Sequence, residues 1–241
     1  MSLIADRFSA AAQHYDSVVQ VQPLVAAHLA ARLSGTPRRI LEIGCGTGGL
    51  SAHLVRLYPE SELVLSDISP TMLALCQGNI GTGPVYRCCD AMQLDADIGS
   101  FDLIVSSLAL QWVQDLPACL QHLASHLNQG GRLAFAVLGQ QNFKEWRQLL
   151  KESGLEAGLH AYPSAENFPW PAPYHGHIEQ EFLREHHKNA AAFLKSLKQI
   201  GAGSARPDHK PLSHSQMRRV LQNADSGFSV SYHILYGSLA L

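Results

Sequence analysis

Chemistry in this chain concentrates where glycines meet acids. In the stretch Arg39-Ile-Leu-Glu-Ile-Gly-Cys-Gly-Thr-Gly-Gly-Leu50, an apolar run from Ile40 to Ile43 ends at Gly44, and Gly46, Gly48 and Gly49 follow. An amphipathic run begins there. The pattern predicts a buried strand, a tight turn and a helix start near Gly48. Glycine lets the backbone turn sharply and come close to a ligand. The first N–H groups of a helix lack internal partners and point outward at that ligand. The spacing is G-x-G-x-G rather than G-x-G-x-x-G, and Glu42 stands on the strand just before it. A pyrophosphate would face that acid as like charge against like charge. A ligand with an ammonium or sulfonium group suits the site better.

Three further groups extend the constellation. Asp67, with Ile68 after it, ends a second apolar run, Leu63 to Ser66, where a carboxylate can take both hydroxyls of a ribose. Asp90-Ala91-Met92 closes a third run, with Asp90 placed to accept from an exocyclic amine and Met92 to pack on a purine face. Ser107, Leu108 and Ala109 end a fourth. In open α/β sheets the ligand lies beyond the carboxyl ends of the strands, so these residues read together as a pocket for an adenosine.

The elements that must position them alternate. Strands are expected at 39–44, 63–67, 85–89, 101–110 and 133–138, with helices between them, the last from Phe143 to Ser153. Short loops between alternating strands and helices imply a parallel sheet covered on both faces. Apolar positions at helical spacing over 3–34 predict two helices ahead of the sheet, and Asn128-Gln-Gly-Gly131 reads as a helix stop and turn. The pattern breaks over 155–176, where Pro163, Pro169, Pro171 and Pro173 mix with Tyr162, Phe168, Trp170 and Tyr174 in an irregular excursion. A strand over 178–186, helices over 190–200 and 213–223, and a long strand over 228–239 follow. The expectation is one domain over 1–241, with a helical cover (1–36), a ligand-binding core (37–154) and an insertion with the final strands (155–241).

The bulk numbers exclude several classes. No apolar run approaches the roughly 18 residues of a membrane span. Met1 to Phe8 hold no basic stretch leading into an apolar one, so a cytoplasmic location is expected. The five cysteines include no C-x-x-C pair and read as reduced thiols. The thirteen histidines offer no third ligand at helical spacing to His175-Gly-His177 or His186-His187, so no metal is expected. The net charge of −2 hides an asymmetry, because 184–219 carries eight basic residues against Glu185 and Asp208. Such a surface suits an acidic partner or is a solvated face. Neither a nucleic-acid nor a membrane partner is expected.

The ordered set of glycine loop, Asp67, Asp90 and Gly130-Gly131 resembles the class I S-adenosylmethionine-dependent methyltransferases. Leu41-Glu-Ile-Gly-Cys-Gly-Thr-Gly48 is similar to their first-strand motif, and Asp67 matches their acidic ribose contact. The resemblance implies a Rossmann-like α/β fold with a seven-stranded, mostly parallel sheet and an antiparallel final strand. It also implies S-adenosylmethionine as cofactor, S-adenosylhomocysteine as product, and contacts from Glu42, Gly44, Gly46, Gly48, Asp67, Ile68, Asp90, Ala91, Met92 and Leu108. Phe8-Ser-Ala-Ala-Ala-Gln-His-Tyr-Asp16, Ser107-Leu-Ala-Leu-Gln-Trp-Val-Gln-Asp115, Phe193 to Ala202 and Tyr232-His-Ile-Leu-Tyr-Gly237 narrow this further. They resemble the malonyl-[acyl-carrier protein] O-methyltransferase family of biotin synthesis.

That resemblance implies methyl transfer to the free carboxylate of a malonyl thioester on acyl carrier protein, with 184–219 as a docking surface. The chemistry names no general base, because a malonyl carboxylate is already ionised at neutral pH. Tyr15, Arg147 and Trp112 are the candidates for orienting the substrate. The competing readings are the same fold acting on another small carboxylic acid or a quinone precursor, a nicotinamide-dependent oxidoreductase, and a non-catalytic adenosyl-ligand binding protein. The G-x-G-x-G spacing and Glu42 disfavour the oxidoreductase.

Overall fold

The computed structural model describes residues 3–12, 20–203, 205–206 and 208–240. Among the described residues two helices, α1 (Leu3–Ala11) and α2 (Val21–Ala31), precede the sheet. Then come β1 (Arg39–Ile43), α3 (Ser51–Leu57), β2 (Glu62–Asp67), α4 (Pro70–Ile80), β3 (Val85–Cys88) and β4 (Phe101–Ser107). A 3-10 turn, Leu110–Trp112, leads to α5 (Leu116–Ala124), β5 (Leu127–Leu138) and α6 (Lys144–Glu152). The chain closes with β6 (Gly176–His187), α7 (Ala190–Gln199), α8 (His214–Gln222) and β7 (Phe228–Ala240).

The seven strands form one sheet in the order β3-β2-β1-β4-β5-β7-β6. The first five run parallel, and β7 inserts antiparallel to both β5 and β6. This is the expected architecture, closing strand included. Strand order reverses between β1 and β4, which puts the crevice at their carboxyl ends.

Side-chain alternation explains the two-sided core. On β1, Ile40 joins the apolar cluster beneath α2, α3, α6 and α7, while Leu41 and Ile43 join the one beneath α5. Phe135 on β5 is fully buried, and its partner across the ladder is Gly237 on β7. A Cβ at Gly237 would lie 2.2 Å from the Phe135 ring, so the glycine makes room for the ring. Burying such a side chain contributes about 1.5–3 kcal/mol. Phe168 and Trp170, from the irregular 155–175 segment, pack against the same ring at 5.6 and 5.9 Å. Buried hydroxyls tie the central strands together. Ser66 donates to the Glu42 carbonyl at 2.7 Å and Ser106 to the Ile43 carbonyl at 2.9 Å.

Three boundaries differ from expectation by three residues or more, the others by one or two. The helix after the glycine loop begins at Ser51 rather than Gly48, because Gly48 sits at φ +100°, outside helical space. Strand β4 stops at Ser107 rather than Leu110, because Leu108 turns the chain with φ +52°. Strand β5 starts at Leu127 rather than Leu133. Gly130 and Gly131 form an irregularity within it, where the register to β4 shifts between Phe101 and Leu103.

Candidate active site

The loop after β1 is shaped by what a side chain would strike. At Gly44, φ is +69° and a Cβ would lie 2.3 Å from Cβ of Ala109, so the loops after β1 and β4 touch at the crevice. At Gly48 a Cβ would press on Ile80 at 3.0 Å, which seats the loop against α4. At Gly46, φ is +55° and a Cβ would meet only open space. That open space belongs to a cavity of about 540 Å³, a size suited to a small ligand. Gly44, Gly46, Asp67, Ile68, Asp90, Ala91, Met92 and Leu108 all line it. Eight of the ten expected cofactor contacts therefore meet in one place.

Asp67 ends β2 with its carboxylate turned toward the loop. One oxygen accepts from the Gly46 N–H at 2.9 Å and the other from Ser69 N–H at 2.8 Å. Burial pushes this carboxyl above its ordinary range, opposed by backbone N–H groups of Ser69, Gly46 and Ile68. A carboxylate has about four acceptor positions, so lone pairs remain for ligand hydroxyls. Asp90, in contrast, is exposed, and its side chain accepts from Met92 N–H at 2.9 Å in a local turn. That bond holds Ala91 and Met92 along the wall. Ile68, Met92 and Leu108 line the same cavity as Asp67, so its residue set suits an adenosine: acceptors for hydroxyls and apolar surface for a base.

Glu42 and Gly48 are the two expected contacts that do not line the cavity, and Glu42 requires a correction. Along β1 it shares a face with Ile40, so its side chain points beneath the loop toward α3. It is 1% exposed and accepts from Ser51 Oγ at 2.6 Å. The same Ser51 Oγ lies 3.6 Å from Cys76 Sγ. Burial pushes the Glu42 carboxyl up to about 8. Near neutral pH it is mostly protonated, so it supplies no negative charge to a cationic ligand. It braces the underside of the glycine loop.

Part of the cavity wall is aromatic. Phe8 of α1 and Trp112 line it and meet edge to face at 5.6 Å. α1 is held against the cavity partly by Ser9 Oγ, 2.8 Å from Ser69 Oγ at the start of α4. Trp112 in turn meets His160 edge to face at 5.9 Å. Of the three substrate-orienting candidates, Trp112 is thus in the wall. Arg147 stands away from it on α6, with its Nε donating to the Asn142 carbonyl at 3.2 Å. Tyr15 lies outside the described residues. Phe8 was within reach of sequence reasoning as the first residue of the N-terminal stretch, but Met72 and Cys89, which also line the cavity, carried no signal beyond apolar spacing.

Comparison with known proteins agrees with this fold. Residues 40–131 match the family described as methyltransferase domain. A malonyl-[acyl-carrier protein] O-methyltransferase of Magnetococcus marinus is 40% identical over 239 residues, 94% of this chain and 88% of the relative. The biotin biosynthesis bifunctional protein BioCD of Bordetella avium is 39% identical over 97% of this chain, which spans 51% of that longer protein. Among solved structures, the N-methyltransferase NodS of Bradyrhizobium japonicum, in complex with S-adenosyl-L-homocysteine, superposes with a TM-score of 0.51 at 14% identity, over 95% of this chain and 97% of that one. The YcgJ protein of Bacillus subtilis gives 0.59 at 13% identity, over 90% and 97%. At those identities the likeness is one of fold, and the fold is that of the class I methyltransferases.

Proposed function

We propose, from the premise that this chain belongs to the malonyl-[acyl-carrier protein] O-methyltransferase family, that it methylates the free carboxylate of a malonyl thioester on acyl carrier protein. The product is a methyl ester with its charge masked, as a primer for the pimeloyl chain of biotin requires. The observation that supports this reading is the cavity at the β1–β4 crevice, whose lining includes Asp67, Asp90 and Met92 together with the aromatic pair Phe8 and Trp112.

S-adenosylmethionine, when bound, supplies a methyl group on a sulfonium and leaves as S-adenosylhomocysteine. Asp67 would hold ribose hydroxyls, Gly44 and Gly46 would let the backbone approach, and Ile68, Ala91, Met92 and Leu108 would enclose the base, with Asp90 at its edge. The acceptor needs no base, because its carboxylate is ionised at neutral pH. What remains for the protein is to orient that carboxylate and exclude water. Phe8 and Trp112 do this by forming an apolar mouth around the point of transfer.

The carrier docks on the basic 184–219 segment in this reading. Of its two acids, Glu185 is buried, and Asp208 pairs with Arg206 at 3.1 Å. Arg184, Lys188, Lys195, Lys198, Lys210, Arg218 and Arg219 are exposed. The proposed setting is the cytoplasm, with five free cysteines and, among the described residues, no helix long and apolar enough to cross a membrane. The test is incubation with methyl-labelled S-adenosylmethionine and malonyl-acyl carrier protein, with acetyl-acyl carrier protein as control. Label on the malonyl form alone is expected. Absence of transfer, or equal transfer to both, refutes the reading.

A further inference from the structure

A second cavity, of about 1030 Å³, lies behind α1. Where Phe8 faces the cofactor cavity, Arg7, Ala10 and Ala11 on the same helix face this one. The partition is thin. Gly158 and Leu159 line the second cavity, and the next residue, His160, touches Trp112 in the wall of the first. The His160 Nε2 is buried and has no hydrogen-bond partner among the described residues.

The lining is mostly apolar, with Leu159 and Leu194 among it, but its charged residues are mainly cations. Arg7, Lys195 and Lys198 are exposed at the edge. The one acid in the lining, Glu156, is bridged to Arg206 at 3.1 Å.

We propose that this cavity receives the pantetheinyl arm on which the acceptor is carried. The arm is a linear diamide with a phosphodiester at one end and the thioester at the other. Its phosphodiester meets Arg7, Lys195 and Lys198, its hydrocarbon stretches lie in the apolar groove, and its acyl end passes His160 and Trp112 into the cofactor cavity. The unpartnered His160 Nε2 meets the acyl end at that crossing. The inference rests on the acceptor being a carrier-bound malonyl thioester. It separates docking of the carrier's surface from seating of its arm.

The test uses malonyl thioesters of N-acetylcysteamine, pantetheine and 4′-phosphopantetheine, which build up the arm without the carrier. For the unmodified protein, kcat/KM should rise along the series, by about tenfold at each step, the size of one good contact. Ala202→Trp, which fills the groove, should collapse the step from N-acetylcysteamine to pantetheine. The double variant Lys195→Glu/Lys198→Glu, confined to exposed side chains, should collapse the step to phosphopantetheine. Melting temperature and S-adenosylhomocysteine affinity are measured on each variant to confirm folding. If the unmodified protein methylates none of the three thioesters or malonyl-acyl carrier protein, the functional reading itself fails. If it methylates all three thioesters equally, or if both steps survive in the variants, the arm site is overturned while the functional reading stands.

Discussion

The buried carboxyl of Glu42 makes a prediction with a definite pH signature. In the folded chain it titrates near 8, against an ordinary 4.5. Below 4.5 both folded and unfolded chains carry the proton and the group contributes nothing to stability. Between those values the folded state holds a proton that the unfolded state has released, so stability falls by about 1.4 kcal/mol per pH unit. The accumulated loss is about 3 kcal/mol at pH 7 and about 4 kcal/mol at pH 8, and it levels off near about 5 kcal/mol above about pH 9. Glu42→Gln removes this titration while its amide oxygen still accepts from Ser51. The variant should match or trail the parent at pH 5 and overtake it by about 3–4 kcal/mol by pH 8, as read by urea denaturation at closely spaced pH. Its affinity for S-adenosylhomocysteine at pH 7 should change less than about threefold, since a neutral group replaces a mostly neutral one. Parallel stability curves for the two proteins would refute the buried titration. A loss of affinity beyond about tenfold would show that the ligand uses the charge after all.

Five other outcomes follow. Gly44→Ala combines a left-handed backbone with a clash against Ala109, and should cost roughly 2–5 kcal/mol, a drop of about 4–20 °C in melting temperature. Gly46→Ala carries only the backbone strain, about 1–2 kcal/mol, yet its methyl enters the cavity, so calorimetry should show S-adenosylhomocysteine affinity falling further than stability does. Asp67→Asn should weaken that ligand by about 10- to 100-fold through loss of charge-assisted hydrogen bonds, and unchanged affinity would remove Asp67 from the ribose. Gly237→Ala, pressed against the Phe135 ring, should cost about 1–3 kcal/mol in denaturant without changing the KM for cofactor. Reversal of Arg218 and Arg219 to Glu should raise the KM for malonyl-acyl carrier protein and spare malonyl-N-acetylcysteamine, and equal effects on both would count against docking there.

The sheet was legible because its strands announce themselves as short apolar runs bounded by turn residues, and their order follows from the alternation with helices. The eight cavity-lining positions were legible for the same reason: in this topology the ends of parallel strands share one edge. Glu42 was misassigned through its proximity to the glycines, although the alternation of β1 already set it on the Ile40 face, with Ser51 nine residues ahead to receive it. Reading the strand's period before the motif's spacing would have placed it correctly. His160 was not legible by any such rule. It stands in an irregular segment whose path over Trp112 is set by contacts such as Gln140 N–H to the Pro163 carbonyl at 2.8 Å, and no local pattern encodes those. The same holds for the second cavity, which is assembled from α1, α6, α7 and the loops on either side of them.

The insertion of β7 between β5 and β6 has a consequence for how the protein is made. Among the described elements β7 is the last to leave the ribosome, yet it pairs with β5 along seven residues from Arg132 to Leu138. Until it arrives, the nascent chain presents the open edge of β5, with Leu133, Phe135 and Val137 along it, to whatever other strands are nearby. The glycine loop and its cavity belong to segments synthesised more than a hundred residues earlier. Interrupted synthesis or trimming within 228–240 therefore leaves a chain whose ligand site is already encoded but whose sheet is unfinished, and such chains are expected to be lost to aggregation rather than to inactivity.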